Sequence, residues 1–256
     1  MTTEERRLHR DVRQLRSAAR AKANRWYFKT GPGQYGEGDR FLGLTLPQIR
    51  TLARTYRDLS LPAAVRLLKS PWHEERLLAL VILTRQYAKG DDDARRRIYT
   101  LYLGHTKFVN NWDLVDCSAA QIVGAHLAGD GRTQLRRLAE SSSVWERRIA
   151  VIATFHSIKR GAFDDALAIA GILVGDTHDL IHKAVGWMLR EIGKRNRAAE
   201  ERFLKKHAAA MPRTMLRYAV ERFPERTRRR YLAMRAVAKA TSGSPRILTP
   251  GRAIAA

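Results

Sequence analysis

Arg76-Leu77-Leu78-Ala79-Leu80 sets a charged residue ahead of a small, apolar run, and the pattern returns at Asp116-Cys117-Ser118-Ala119-Ala120, Arg148-Ile149-Ala150-Val151-Ile152 and Lys183-Ala184-Val185-Gly186-Trp187. The four starts are separated by 40, 32 and 35 residues. Each copy falls in the second member of a pair of segments with helical periodicity. The segments run over residues 74–87, 93–104, 111–128, 132–139, 144–157, 163–173, 179–193, 198–207 and 213–223. No stretch alternates with period two, so the expected fold class is all-α. Helix pairs recurring every few tens of residues predict an α-solenoid of HEAT-like pairs. In such a stack, equivalent positions of the second helices line one surface, here a concave basic groove. Arg76, Asp116, Arg148 and Lys183 should then form a column, with Trp112 one turn before Asp116 and Trp187 one turn after Lys183.

Upstream, residues 3–25 read as one amphipathic helix with Leu8, Val12, Leu15 and Ala19 on its apolar face. Further helices start at Thr45-Leu46-Pro47 and Leu61-Pro62, each with proline in the first turn. Between them, Gly31 to Gly36 matches G-x-G-x-x-G, but neither a preceding strand nor a βαβ pattern surrounds it, which excludes a dinucleotide site. A flexible surface loop over residues 31–39 is expected instead. Downstream, Arg226-Thr227-Arg228-Arg229-Arg230-Tyr231 begins a basic helix. The reading is one solenoid domain over residues 1–237 and a disordered tail over 238–256, rich in Ser, Gly and Pro.

Lys and Arg number 48 against 25 Asp and Glu, a net charge of +23 that solubility does not require and that points to a polyanionic partner. No apolar run is long enough to span a bilayer, and the charged N-terminus lacks a signal-peptide core, so a cytoplasmic, monomeric protein without a membrane partner is expected. The single Cys117 excludes an internal disulfide and a thiolate zinc cluster. The scattered histidines contain no H-E-x-x-H, so neither a metal nor a cofactor is expected.

The sequence Asn110-Asn111-Trp112-Asp113-Leu114-Val115-Asp116 concentrates the chemistry. An Asn caps a helix, Asp113 suits its first turn, and Trp112 and Asp116 share one face. This motif, Val144-Trp145-Glu146-Arg147-Arg148, and Lys183-Ala184-Val185-Gly186-Trp187-Met188-Leu189-Arg190-Glu191 together resemble the DNA alkylation repair family of AlkD-like alkylpurine DNA glycosylases. The resemblance covers roughly residues 5–237, with three motifs in order and spacing. It implies a HEAT-like solenoid that removes cationic N3- and N7-alkylated purines from double-stranded DNA, without flipping the base into a pocket. It further implies that Asp116 is the catalytic carboxylate, with Trp112 and Trp187 as active-site indoles. Arg148 and Arg190 would contact DNA, and Tyr27 would line the lesion site. One departure is the 31–39 loop, longer and more glycine-rich than the compact link the family pattern has after that tyrosine.

The residue types suit that chemistry on their own terms. A cationic purine is already a good leaving group, so what remains is to stabilise an oxocarbenium-like sugar and direct a water to it. A carboxylate does both. Lys183, Arg76 and Arg148, as members of the column, would hold phosphates without reading sequence. Trp26, Trp72 and Trp145 read as packing residues. Repeat phase favours Arg148 over Arg147 as the one facing the groove. The alternative is a non-catalytic HEAT-like nucleic-acid-binding or scaffold protein, and the discriminating observation is whether Trp112, Asp116 and Trp187 meet on one surface. An RNA-binding solenoid would share the charge but leave Asp116 without a role.

Overall fold

The computed structural model describes residues 1–129 and 131–241. Within them the chain forms α1 (Thr3–Gln14), α2 (Ala18–Tyr27), α3 (Leu46–Thr55), α4 (Leu61–Leu68), α5 (His73–Lys89), α6 (Asp92–Leu103) and α7 (Trp112–Asp116). A π-helical turn, Ala120–Gly124, follows. Then come α8 (Arg132–Ala139), α9 (Val144–Ala153), α10 (Phe155–Ile158), α11 (Asp164–Ile172), α12 (Asp179–Gly193), α13 (Arg197–His207), α14 (Arg213–Ala219) and α15 (Glu225–Thr241). Among the described residues the only extended pairing is an isolated bridge between Arg40 and Trp72, and no helix is long and apolar enough to cross a membrane.

The all-helical solenoid expected from the repeat is the observed architecture. The second helices stack in order: α5 on the π turn, α7 and the π turn on α9, α9 on α12, and α12 on α14. Outer helices α4, α6, α8, α11 and α13 pack against this row. The apolar runs that define the repeat supply the core. Leu78 and Leu80 of α5, Ile149 and Ala150 of α9, and Ala184 and Val185 of α12 have no exposed surface. A lone helix pair cannot bury such a run, so each repeat is stabilised by its neighbours. Glycine permits the closest approach: a Cβ on Gly186 would lie 2.5 Å from both the Met215 carbonyl and the Tyr218 Cβ.

Three expectations change. The helix over residues 3–25 is broken into α1 and α2, because Ser17 donates its backbone N–H to Leu42 and its hydroxyl caps α2. Leu8 and Val12 are buried as expected, but Ala19 is exposed and α2 buries no residue. The segment 111–128 does not form one helix. The Ser118 hydroxyl bonds back to the Leu114 carbonyl at 2.5 Å, a local competitor that ends α7, and Gly124 then bonds to Ala119 five residues back. Finally, α15 runs to Thr241, past the expected boundary at residue 237, and residues 242–256 of the expected tail lie outside the described residues.

Gly186→Ala should lower stability by about 2 kcal/mol, the usual cost of overpacking. Chemical denaturation would check this, and an unchanged midpoint would mean that α12 and α14 separate freely.

Candidate active site

The site is built on α7. The Asn111 side chain, fully buried, accepts the Trp112 backbone N–H at 2.8 Å, and Asp113 caps the next amide at 2.9 Å. One helical turn on, Asp116 grips Arg148 of α9 in a two-bonded pair, Nε to Oδ1 at 3.0 Å and Nη2 to Oδ2 at 2.8 Å. The third arm of the same guanidinium donates to the Leu180 carbonyl of α12 at 2.7 Å. Asp116 and Arg148 are thus neighbours, as the repeat column requires. Burial pushes the Asp116 carboxyl above its ordinary range, and the Arg148 charge and hydrogen bonds pull against it.

Beside this pair is an open cavity of about 660 Å³. Its aromatic walls are Trp26, Tyr27, Tyr35, Trp112, Trp187 and Tyr218, and Lys29, Arg148, Lys183 and Arg190 supply its positive charge. The Tyr27 ring stands edge-on to Trp112 with centroids 5.9 Å apart, and Phe28 stacks on the same indole at 5.4 Å. Trp187 packs on Phe155 and donates its indole N–H to Glu191 at 3.3 Å. Lys183 pairs with Asp179 at 2.6 Å, and Arg190 pairs with Glu221. Asp116 does not itself line the cavity; its side chain is 20% exposed, and it holds Arg148, which does line it. Among the described residues, no group of three or more His, Cys, Asp or Glu side chains is placed to hold a metal.

The loop over residues 31–39 lies on the surface as expected, is held by its own hydrogen bonds, and gives Tyr35 to the cavity wall. Gly31 and Gly33 donate to Gln34 and Glu37 at 2.9 and 2.8 Å, and the Gly36 N–H bonds to the Lys29 carbonyl. Only glycine fits at 36, since a Cβ there would lie 2.3 Å from the Phe28 carbonyl oxygen. The fold of the loop carries Tyr35 to Trp145, edge-on at 6.2 Å, and into the cavity wall. Its end is anchored by Asp39, whose carboxylate takes Nδ1 of His73 at 2.8 Å and Nη2 of Arg76 at 2.5 Å. The other nitrogen of His73 meets Asp113 of α7 at 2.8 Å. Burial opposes the imidazolium, but the two carboxylates outweigh it and raise His73 to about 9.

Two placements correct the sequence reading. Arg76 is buried and bound to Asp39 and to the Ser70 carbonyl, so it has no free face for DNA. Its counterpart is Arg147 rather than Arg148. In both repeats a serine hydroxyl (Ser70, Ser141) bonds the glutamate five residues on, and the arginine after that glutamate bonds the serine carbonyl. The column was therefore one residue out of phase at Arg76. Trp26 is the second correction: it is 76% exposed on the cavity wall, with Lys29 5.0 Å over its ring, and packs no core. Trp72 and Trp145 do pack against the core. Tyr35, Tyr218 and the Asp39–His73–Asp113 bridge escaped sequence reasoning. The one signal available was an aromatic residue within a glycine-rich stretch.

The described residues are thus an all-helical repeat with an aromatic, cationic cavity beside the Asp116–Arg148 pair. A model of the DNA alkylation repair enzyme family matches residues 8–223, and the chain belongs to that family. Among solved structures, a predicted DNA alkylation repair enzyme from Enterococcus faecalis shares the fold, with a TM-score of 0.63 at 16% identity over 82% of this chain and 98% of that one. No curated protein matches the chain.

The His73 bridge makes a prediction for stability. His73 titrates at about 9 when folded against an ordinary 6.5, so its contribution is whole below pH 6.5 and is lost as pH rises through 9. Denaturation midpoints measured from pH 6 to 10 should fall across this window, by on the order of 3 kcal/mol in stability. A flat profile would remove the charged bridge.

Proposed function

We propose that the cavity is the active site of a monofunctional DNA glycosylase that hydrolyses the N-glycosidic bond of cationic N3- or N7-alkylated purines in duplex DNA. The observation that carries this reading is the meeting of Trp112 and Trp187 on one cavity whose wall includes Arg148, the residue clasping Asp116. A non-catalytic nucleic-acid-binding surface has no use for a half-buried carboxylate clasped by an arginine of a cavity that two indoles line.

In this mechanism the C1′–N bond breaks heterolytically, its electron pair leaving with the purine, whose positive charge is thereby neutralised. The sugar is left as an oxocarbenium-like cation. Asp116 stabilises that cation and orients the water that adds at C1′, and the proton of that water passes to the carboxylate or to solvent. Indole faces contribute on the order of 0.5–2 kcal/mol each by cation–π attraction. Burial raises the Asp116 carboxyl and Arg148 pulls it back down, while the two bonds of its guanidinium aim the remaining lone pairs. Its work is therefore positional, and phosphate binding falls to Lys183, Arg190 and Lys29 around the rim. Lys183, held by Asp179, serves as a cation rather than as a Schiff-base amine.

Asp116→Asn should abolish most excision while leaving duplex affinity unchanged or slightly higher. Lys183→Ala should instead flatten the slope of log affinity against log salt by about one unit, on damaged and undamaged duplexes alike. Equal loss of binding and excision in Asp116→Asn would make that residue structural.

In this mechanism Asp116 acts on the sugar, and no described residue is assigned to protonate a neutral leaving base, so the lesion must supply its own activation. Purified protein should release 7-methylguanine and 3-methyladenine from methylated duplex and leave uracil and 8-oxoguanine in place. The product should be an unbroken abasic strand that borohydride does not trap on the protein. Uracil release, or a trapped adduct lost in Lys183→Ala, would overturn this mechanism.

A further inference from the structure

We infer that His73 is a positioning residue for both walls of the cavity: bridging Asp39 and Asp113, it locks the Tyr35 loop to the helix that carries Trp112 and Asp116. The inference rests on the glycosylase reading for its effect on rate, and on geometry alone for the bridge.

His73 opens α5, and its side chain is 2% exposed. Its backbone N–H donates to the Arg40 carbonyl at 2.8 Å, so main chain and side chain both hold the end of the loop. The imidazole lies against Phe41 and Phe28, with centroids 4.7 and 4.8 Å away. Phe28 in turn stacks on Trp112. Both ring nitrogens meet carboxylates, Asp39 from the loop and Asp113 from α7. Two carboxylates on one imidazole require donors on both of its nitrogens, which only the imidazolium supplies. The other charge in the cluster is Arg76, also from α5, which holds the second oxygen of Asp39.

The consequences reach the chemistry. Asp113 lies three residues before Asp116, and its negative charge raises the Asp116 carboxyl. Loss of the His73 proton would leave Asp113 uncompensated and release the first turn of α7, and with it the angle at which Asp116 meets Arg148. It would also free Asp39 and with it the loop that carries Tyr35. The ring joins two segments that share no helix, beside the Phe28 on which Trp112 stacks.

The test uses the full chain, wild type and His73→Gln, which keeps a single donor group near the same reach. Amide hydrogen exchange should accelerate in peptides covering residues 31–39 and 110–117 while those in α12 and α14 stay protected. Uniform acceleration would indicate general destabilisation and overturn the inference, and so would no change. Single-turnover release of 7-methylguanine should fall roughly tenfold to hundredfold, with undamaged-duplex affinity within about threefold of wild type. Wild-type release should also decline as pH rises through about 9. In Asp113→Asn, where one of the two carboxylates loses its charge, that decline should move to lower pH by about one unit. An unmoved decline would overturn the inference, and this variant decides the matter if His73→Gln does not fold. If wild-type protein released no base, the glycosylase reading would fail, and the exchange pattern would still decide whether His73 bridges the two walls.

Discussion

One guanidinium ties three consecutive inner helices together. Arg148 of α9 clasps Asp116 of α7 with two bonds and reaches the Leu180 carbonyl of α12 with a third. Burying that pair is costly in desolvation and gains little over a well-packed apolar contact. Its value lies in geometry, because the fork of Arg148 fixes the angle of Asp116 to the neighbouring repeats. The cavity with Trp112 and Trp187 on its walls exists because α7 and α12 are held at a set distance across α9. A solenoid can slide by small steps at each interface, and a polar pin with three directed bonds suppresses that freedom beside the cavity.

The rest of the acidic residues show the same economy. In a chain of net charge +23, several carboxylates are drawn inward to organise backbone rather than left to neutralise the surface. Glu74 is buried and accepts the amides of Leu42 and Gly43, each at 2.8 Å, seating the segment that follows the loop. Glu5 is held near 2 by Arg66 and the Thr2 amide, which fastens α1 to α4. Asp39 and Asp113 share His73. The surface around the cavity is left to Lys29, Lys183 and Arg190, which suits a family whose partner is DNA.

The aromatic wall illustrates how a loop can shape a cavity without altering the helical stack. Residues 31–39 contain no helix, yet their turns bring Tyr35 to Trp145, a residue of the third inner helix in the row. The loop keeps its shape by internal hydrogen bonds and by a glycine that no other residue replaces at 36.

Periodicity determined the helices and their stacking, because a repeated apolar run has one efficient burial, against the same run in the next repeat. Trp112, Arg148 and Trp187, which helical spacing set on one side, do line one cavity, and Asp116 is held by Arg148 just behind it. Charge alone marked the partner as anionic. What the sequence did not carry was phase to within one residue and any contact between segments distant in the chain. Arg76 and Arg148 both follow an acidic residue closely, and only the serine brackets of the folded chain distinguish the anchoring arginine from the one at the cavity. Trp26 was taken for core because indoles usually are, whereas α2 buries nothing and turns it to the cavity. His73 lies 34 residues from Asp39 and 40 from Asp113, and a bridge of that kind arises from closure of three separate segments around one ring. Local pattern specifies which face of a helix is buried; which distant side chains then share a hydrogen bond is decided only when the repeats dock.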